Sequence, residues 1–163
     1  MKDMTEQEVL MRLTALCSKA EHCSWEMTEK MRRWGIDEQV QARIMQHLTE
    51  EKYVDDERYC RAFVKDKIRY NKWGRRKVEQ ALYAKHIERN IYQQVLDEVD
   101  DEEYLSILRP LLKNKKRQLK GLGEYEANGK LFRFAIGRGF TTDIIRLCLD
   151  IDDLKETFDD EDY

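Results

Sequence analysis

Three positions, Ile36, Ile87 and Phe140, carry the same apolar spacing on both sides, and this internal repetition restricts the fold more than any other feature of the chain. After each of them apolar residues recur four and eight positions on: Val40 and Ile44, Ile91 and Val95, Ile144 and Cys148. In the first two copies the twelfth position, Leu48 or Val99, is apolar as well. Before each anchor, position −5 is Met31, Leu82 or Ala135, and position −9 is Met27, Val78 or Leu131. Spacing by four keeps side chains on one face of an α-helix, so each copy is predicted to hold two amphipathic helices that meet at a turn and bury their stripes against each other.

The turn chemistry agrees in two copies. Gly35 and Gly139 stand just before their anchors, where a helix end takes a left-handed residue, and Asp37 and Thr141 follow as N-caps. The middle copy has His86 and Glu88 in those places. A further helix is predicted upstream in each copy. The first starts near Thr5, which with Glu8 forms a capping box, and runs through Val9, Leu13, Leu16 and Ala20; Ser24 is the expected cap of the next. Asp55 is expected to cap a helix through Tyr59, Phe63 and Ile68 that closes near Trp73-Gly74. The third copy begins near Glu102 with Tyr104, Leu108, Leu111 and Leu112 on its apolar face. Pro110 either kinks that helix or begins a new one, and Gly121, Gly123 and Gly129 mark a loop before the next.

The anchors lie 51 and 53 residues apart. The expected fold is therefore all-α: three tandem three-helix repeats, residues 1–54, 55–101 and 102–163, stacked into an elongated, curved array. A single compact core is the rival geometry. One proline and seven glycines among 163 residues suit long helices with few breaks. No apolar run approaches the roughly 18 residues of a membrane span, and the polar, acidic start suggests a cytoplasmic protein with no membrane contact. Cys17, Cys23, Cys60 and Cys148 lack the paired spacing of zinc or thioredoxin-type sites, so reduced thiols are expected.

Charge is unevenly spread. Arg61 to Arg89 carries ten Lys/Arg against three acids, a local charge of +7 in a chain of net charge −3. Arg109 to Lys120 adds six basic residues and no acid, whereas 97–103 holds six acids and 150–163 has eight against Lys155 alone. The middle copy is thus the basic one and the terminal stretch is an acidic tail.

Four stretches together resemble the RecX family, bacterial regulators of the recombinase RecA. They are Arg32-Arg33-Trp34-Gly35-Ile36-Asp37-Glu38; Glu51-Lys52-Tyr53-Val54-Asp55-Asp56-Glu57-Arg58-Tyr59; Gly74-Arg75-Arg76-Lys77-Val78 with Gln80-Ala81-Leu82; and Arg133-Phe134-Ala135-Ile136-Gly137-Arg138-Gly139-Phe140. Their order and spacing carry the likeness, which spans about Leu10 to Leu149; His86, Pro110 and the acidic tail depart from the family's pattern. The resemblance implies three repeats of three helices and a non-enzymatic modulator, an inhibitor by expectation. Such a protein binds the RecA–DNA filament, along its groove or at its growing end, and limits assembly, ATP hydrolysis and strand exchange, with consequences for DNA repair, recombination and the SOS response. A monomer without cofactor is expected, with single- and double-stranded DNA as further candidate partners.

The residues best suited to such contacts are Lys65, Lys67, Arg69, Lys72, Arg75, Arg76 and Lys77, at the end of one helix and the start of the next. Like charges accumulated where self-repulsion opposes folding point to phosphates or an acidic protein surface, against the plain alternative of a solvated face. Tyr70 and Trp73 lie among them and are placed either to stack on bases or, for Trp73, to fill core. Lys113, Lys115, Lys116 and Arg117 extend the set into the third copy, and Lys120 follows them; Arg133 and Arg138 are as readily partners for the acidic segments. The rival function is a general nucleic-acid-binding helical repeat that acts by competing for DNA.

Sharper chemistries fare worse. The helix pair around Gly35-Ile36 has a helix-turn-helix outline, but Gln39, Gln41, Arg43 and Gln46 are ordinary surface choices. Asp55-Asp56-Glu57 point in different directions within one turn, and His22, Cys23 and Cys17 make a poor metal site. No nucleophile–base or phosphate-loop pattern emerges.

Overall fold

The computed structural model describes residues 3–149; the acidic segment from Asp150 lies outside the described residues. Nine helices and no strand occur among the described residues: α1 (Glu6–Lys19), α2 (Ser24–Arg33), α3 (Glu38–Glu50), α4 (Asp56–Arg69), α5 (Arg75–Ala84), α6 (Arg89–Asp97), α7 (Asp101–Arg117), α8 (Glu124–Gly137) and α9 (Thr142–Cys148). They gather into two compact units. One holds the chain up to Val64 together with Ala81–Val95; the other holds Lys65–Gln80 and the chain from Leu96 on. The middle copy contributes to both.

In the first unit, the Thr5 hydroxyl accepts the Glu8 N–H at 3.1 Å and opens α1. Val9 and Leu13 of α1, Met27 and Met31 of α2, Ile44 and Leu48 of α3, and Val54 form one core. Full burial of each such side chain contributes roughly 1.5–3 kcal/mol. The start of α2 differs from expectation. Cys23, not Ser24, is the N-cap, with the Glu26 carboxylate accepting the Cys23 N–H at 3.0 Å. Ser24 is the first helical residue, and its N–H and hydroxyl both donate to Asp56, at 2.7 and 2.9 Å, so its hydroxyl is engaged elsewhere.

The anchors share one backbone wiring. Ile36 N–H donates to Met31 O at 3.0 Å, Ile87 N–H to Leu82 O at 3.3 Å, and Phe140 N–H to Ala135 O at 3.1 Å. The residue before each has positive φ: Gly35 at 72°, His86 at 57° and Gly139 at 95°. The middle turn is therefore the same C-cap with histidine in glycine's place, at a cost of roughly 1–2 kcal/mol for the left-handed backbone.

The second unit is built on α7, α8 and α9, which contact one another pairwise. Tyr104, Leu105, Leu108 and Leu112 of α7, Leu131, Phe132 and Ala135 of α8, Phe140, and Ile144 and Ile145 of α9 are buried. Pro110 neither breaks α7 nor starts a new helix: it sits on the exposed side of a helix that runs unbroken from Asp101 to Arg117. Gly129 is not in the loop but buried inside α8, where a glycine costs roughly 1 kcal/mol relative to alanine.

Two turns of this unit touch backbone to backbone. Gly74 N–H donates to Arg138 O and Arg76 N–H to Gly139 O, each at 2.9 Å. A Cβ on Gly74 would collide with the Phe140 backbone, and one on Gly139 with Lys77. Glycine on both sides is what lets the α4–α5 turn lie directly on the α8–α9 turn.

Candidate partner and nucleic-acid interface

All the basic candidates, from Lys65 to Lys77 and from Lys113 to Arg117, fall in the second unit. The structure divides them by what their charges touch. Lys65, Arg69, Lys72, Arg76, Lys113, Lys116 and Arg117 are exposed. Lys67 and Lys77 place their ammonium groups 5.1 and 5.0 Å from the Trp73 ring centroid, and Lys115 lies 5.4 Å from that of Phe134. Arg75 forms an ion pair with Asp97 at 2.6 Å, so part of its charge is already answered within the fold. Trp73 thus carries lysines on its ring, whereas Tyr70 stands 78% exposed among exposed cations.

The segment that presents Tyr70 is held from outside. Lys72 closes α4 with φ 57°, and Trp73 N–H bonds Lys67 O at 3.1 Å. The guanidinium of Arg138 donates to the carbonyls of Asn71 and Lys72, the latter at 3.2 Å. The same guanidinium lies 5.9 Å from the Phe134 ring, against which Lys115 also packs. Lys115, Phe134, Arg138 and Lys72 therefore form a physical link from the third-copy cations to the second-copy ones. Arg138 is absent from the sequence-derived set, and among the described residues it meets carbonyls. Its partners lie 66 and 67 residues away, and a bare carbonyl leaves no mark in the side-chain pattern.

Beyond Lys115, the end of α7 and the start of α8 enclose a groove of about 540 Å³. Leu119 and Leu122 give it apolar walls; Lys113, Lys116 and Lys120 stand on its rim with Glu124. A smaller cavity of about 60 Å³ is lined by Arg75, Asp101, Thr141 and Tyr104. The Tyr104 hydroxyl is buried there without a hydrogen-bond partner among the described residues, and burial pushes its pKa up to about 12.

The remaining polar candidates have structural partners. Asp55 caps α4 by accepting the Arg58 N–H at 3.1 Å, Asp56 is taken by Ser24, and His22 lies 3.7 Å from Glu26. Burial pushes the Cys23 thiol up to about 12 and raises Cys17 and Cys148, the reverse of an activated nucleophile. Among the described residues no group of three or more His, Cys, Asp or Glu is arranged to hold a metal ion, and no helix is long and apolar enough to cross a membrane.

Residues 55–96 match the model of the second three-helix domain of RecX, and residues 101–149 match that of the third; together the two stretches cover more than half of the chain. The chain belongs to the RecX family. Among curated relatives, it is 28% identical to the regulatory protein RecX of Lactobacillus johnsonii over 84% of this chain and 51% of that one. It is also 28% identical to the regulatory protein RecX of Chlorobium limicola over 90% of each. The chain thus spans about half the length of the first relative and most of the second. The crystal structure of RecX from Lactobacillus salivarius superposes with a TM-score of 0.84 at 19% identity, covering 91% of this chain and 97% of that one. A second regulatory protein RecX gives 0.81 at 17%, covering 89% and 73%. At these identities the solved structures attest the fold, tandem three-helix domains in an all-helical chain, and RecX-family relatives carry the name of regulatory proteins.

Proposed function

We propose that this RecX-family chain is a non-enzymatic, cytoplasmic modulator of the RecA recombinase. It binds the RecA–DNA filament as a monomer through the basic surface of its second unit and limits filament assembly, ATP hydrolysis and strand exchange. Family membership supports the partner, and the observation that carries the site is the Arg138 bridge. That bridge fixes a turn rich in exposed cations and joins it to Lys115 on α7. Three repeats, 1–54, 55–101 and 102–163, give a regulator of this kind several weak contacts with successive subunits, which add through effective concentration. The test is RecA ATP hydrolysis on single-stranded DNA with this chain added at a low ratio to RecA. Inhibition that persists when DNA is raised in excess supports direct filament binding.

A second function, general nucleic-acid binding by competition for DNA, is favoured by one observation: Tyr70 is an exposed ring among exposed cations, the combination that single strands stack on. Inhibition that disappears with excess DNA would select it over the first.

A further inference from the structure

We propose that the groove between the end of α7 and the start of α8 is a docking site for the chain's own acidic segment, residues 150–163. The two match in both kinds of chemistry. The groove has apolar walls at Leu119 and Leu122 and a rim carrying Lys113, Lys116 and Lys120, with Glu124 as its one acid. The segment carries eight acids against Lys155, and among them Ile151, Leu154 and Phe158 are spaced three and four apart. A phosphate chain would answer the lysines alone; an acidic segment studded with large apolar side chains answers the leucines too.

The path between them is short and basic. The described chain reaches Leu149 just after α9, a helix that contacts α7, and Cys148 lies within electrostatic reach of Arg109 on α7. From Arg109, which also bonds Glu102 at 3.2 Å, Lys113 and Lys116 follow at positions four and seven on the same helix face, and Lys120 lies in the turn beyond. From Arg109 to Arg117 the helix rises roughly 12 Å and Lys120 lies three residues beyond its end, whereas fourteen residues of chain reach up to roughly 46 Å when extended, so the segment spans the distance with length to spare. Covalent attachment places it at an effective concentration on the order of millimolar, enough for a contact that would be weak between separate molecules. Docked there, it covers Lys113 and Lys116 of the basic surface. Docking of the segment does not depend on which partner that surface serves.

Carbodiimide coupling of the full chain, followed by peptide mapping, tests it. The expected product is a monomer in which a carboxylate of residues 150–163 is joined to Lys113, Lys116 or Lys120. Its yield should fall at least fivefold in an Ile151→Ser, Leu154→Ser, Phe158→Ser variant, which keeps every acid. Absence of such links overturns the proposal. So do links found only in covalent dimers, which would make a second copy the occupant, and an unchanged yield in the triple variant, which would leave charge attraction without a seat in the groove.

Discussion

The His86 ring lies flat on Trp25, with centroids 5.0 Å apart and planes 18° from parallel, while the His86 backbone occupies the left-handed region at φ 57°. The two facts belong together. A glycine would relieve the backbone but remove the ring, and an alanine would keep the strain and lose the contact. His86→Gly is therefore expected to change stability by less than about 1 kcal/mol, since relief of the backbone offsets the lost stack, and His86→Ala to cost about 0.5–1.5 kcal/mol, the worth of the stack alone. Urea denaturation of the two variants measures the difference. An alanine variant as stable as the glycine one would contradict the backbone strain, and one as stable as the natural chain would contradict the stack.

Gly74 and Gly137 should respond oppositely to the same substitution. Alanine at Gly74 drives a methyl into the Phe140 backbone and separates two hydrogen-bonded turns, at an expected cost of about 2–4 kcal/mol. Alanine at Gly137, the last residue of α8, meets nothing within contact distance and should stabilise by about 0.5–1 kcal/mol. Thermal melts of both, monitored by circular dichroism, check the pair.

Arg138 is required as an arginine. Its forked guanidinium serves two carbonyls and the Phe134 face at once, a geometry that a lysine ammonium does not reproduce. Arg138→Ala and Arg138→Lys should each cost about 1–3 kcal/mol and loosen the 71–72 turn. Hydrogen exchange of residues 70–76 reads the turn directly. Full protection in the lysine variant would contradict the bridge.

Among the basic residues, Lys72 and Arg75 should separate in a salt series. Exposed Lys72 is free to meet phosphate, whereas Arg75 is engaged by Asp97. If the surface holds single-stranded DNA, Lys72→Gln should lower the slope of log affinity against log salt by about 0.7, and Arg75→Gln by clearly less. Equal slopes for the two would show that the Asp97 pair opens on binding.

Acid should weaken the first unit through Glu26. Burial works to raise the pKa of this carboxyl but is outweighed by the Cys23 N–H, by Lys85 at 3.2 Å and by His22, which together hold it below the ordinary glutamate value. A depressed carboxyl contributes stability that is full above the unfolded pKa and is lost as pH falls through the folded one. Glu26→Gln should therefore be less stable than the natural chain at neutral pH, with the gap closing as pH drops from about 5 towards 3. A gap that widens in acid would reverse the sign.

The helix faces were legible because they follow from local periodicity. The residues five and nine before each anchor, Met31, Met27, Leu82, Val78, Ala135 and Leu131, are all buried, as are Ile87 and Phe140; Ile36 is half-buried at the edge of its core. Periodicity names a face but not what lies against it, which is why the division of the middle copy between two units left no trace in the pattern. The basic cluster was visible as charge, yet which cations stay exposed depends on contacts such as Arg75 to Asp97, 22 residues apart. His86 hid the middle turn because the signal for a left-handed C-cap is normally glycine, and Pro110 was ambiguous because only the fold shows that it faces solvent.

The two lysines on Trp73 give the basic surface an optical signature of its own. Indole emission shifts with the field of nearby charge, and here two ammonium groups sit about 5 Å from one ring in the midst of the candidate contacts. Any partner that draws Lys67 or Lys77 away changes that field, so with Trp25 and Trp34 replaced by phenylalanine the chain reports its own engagement as a change in fluorescence, without a label.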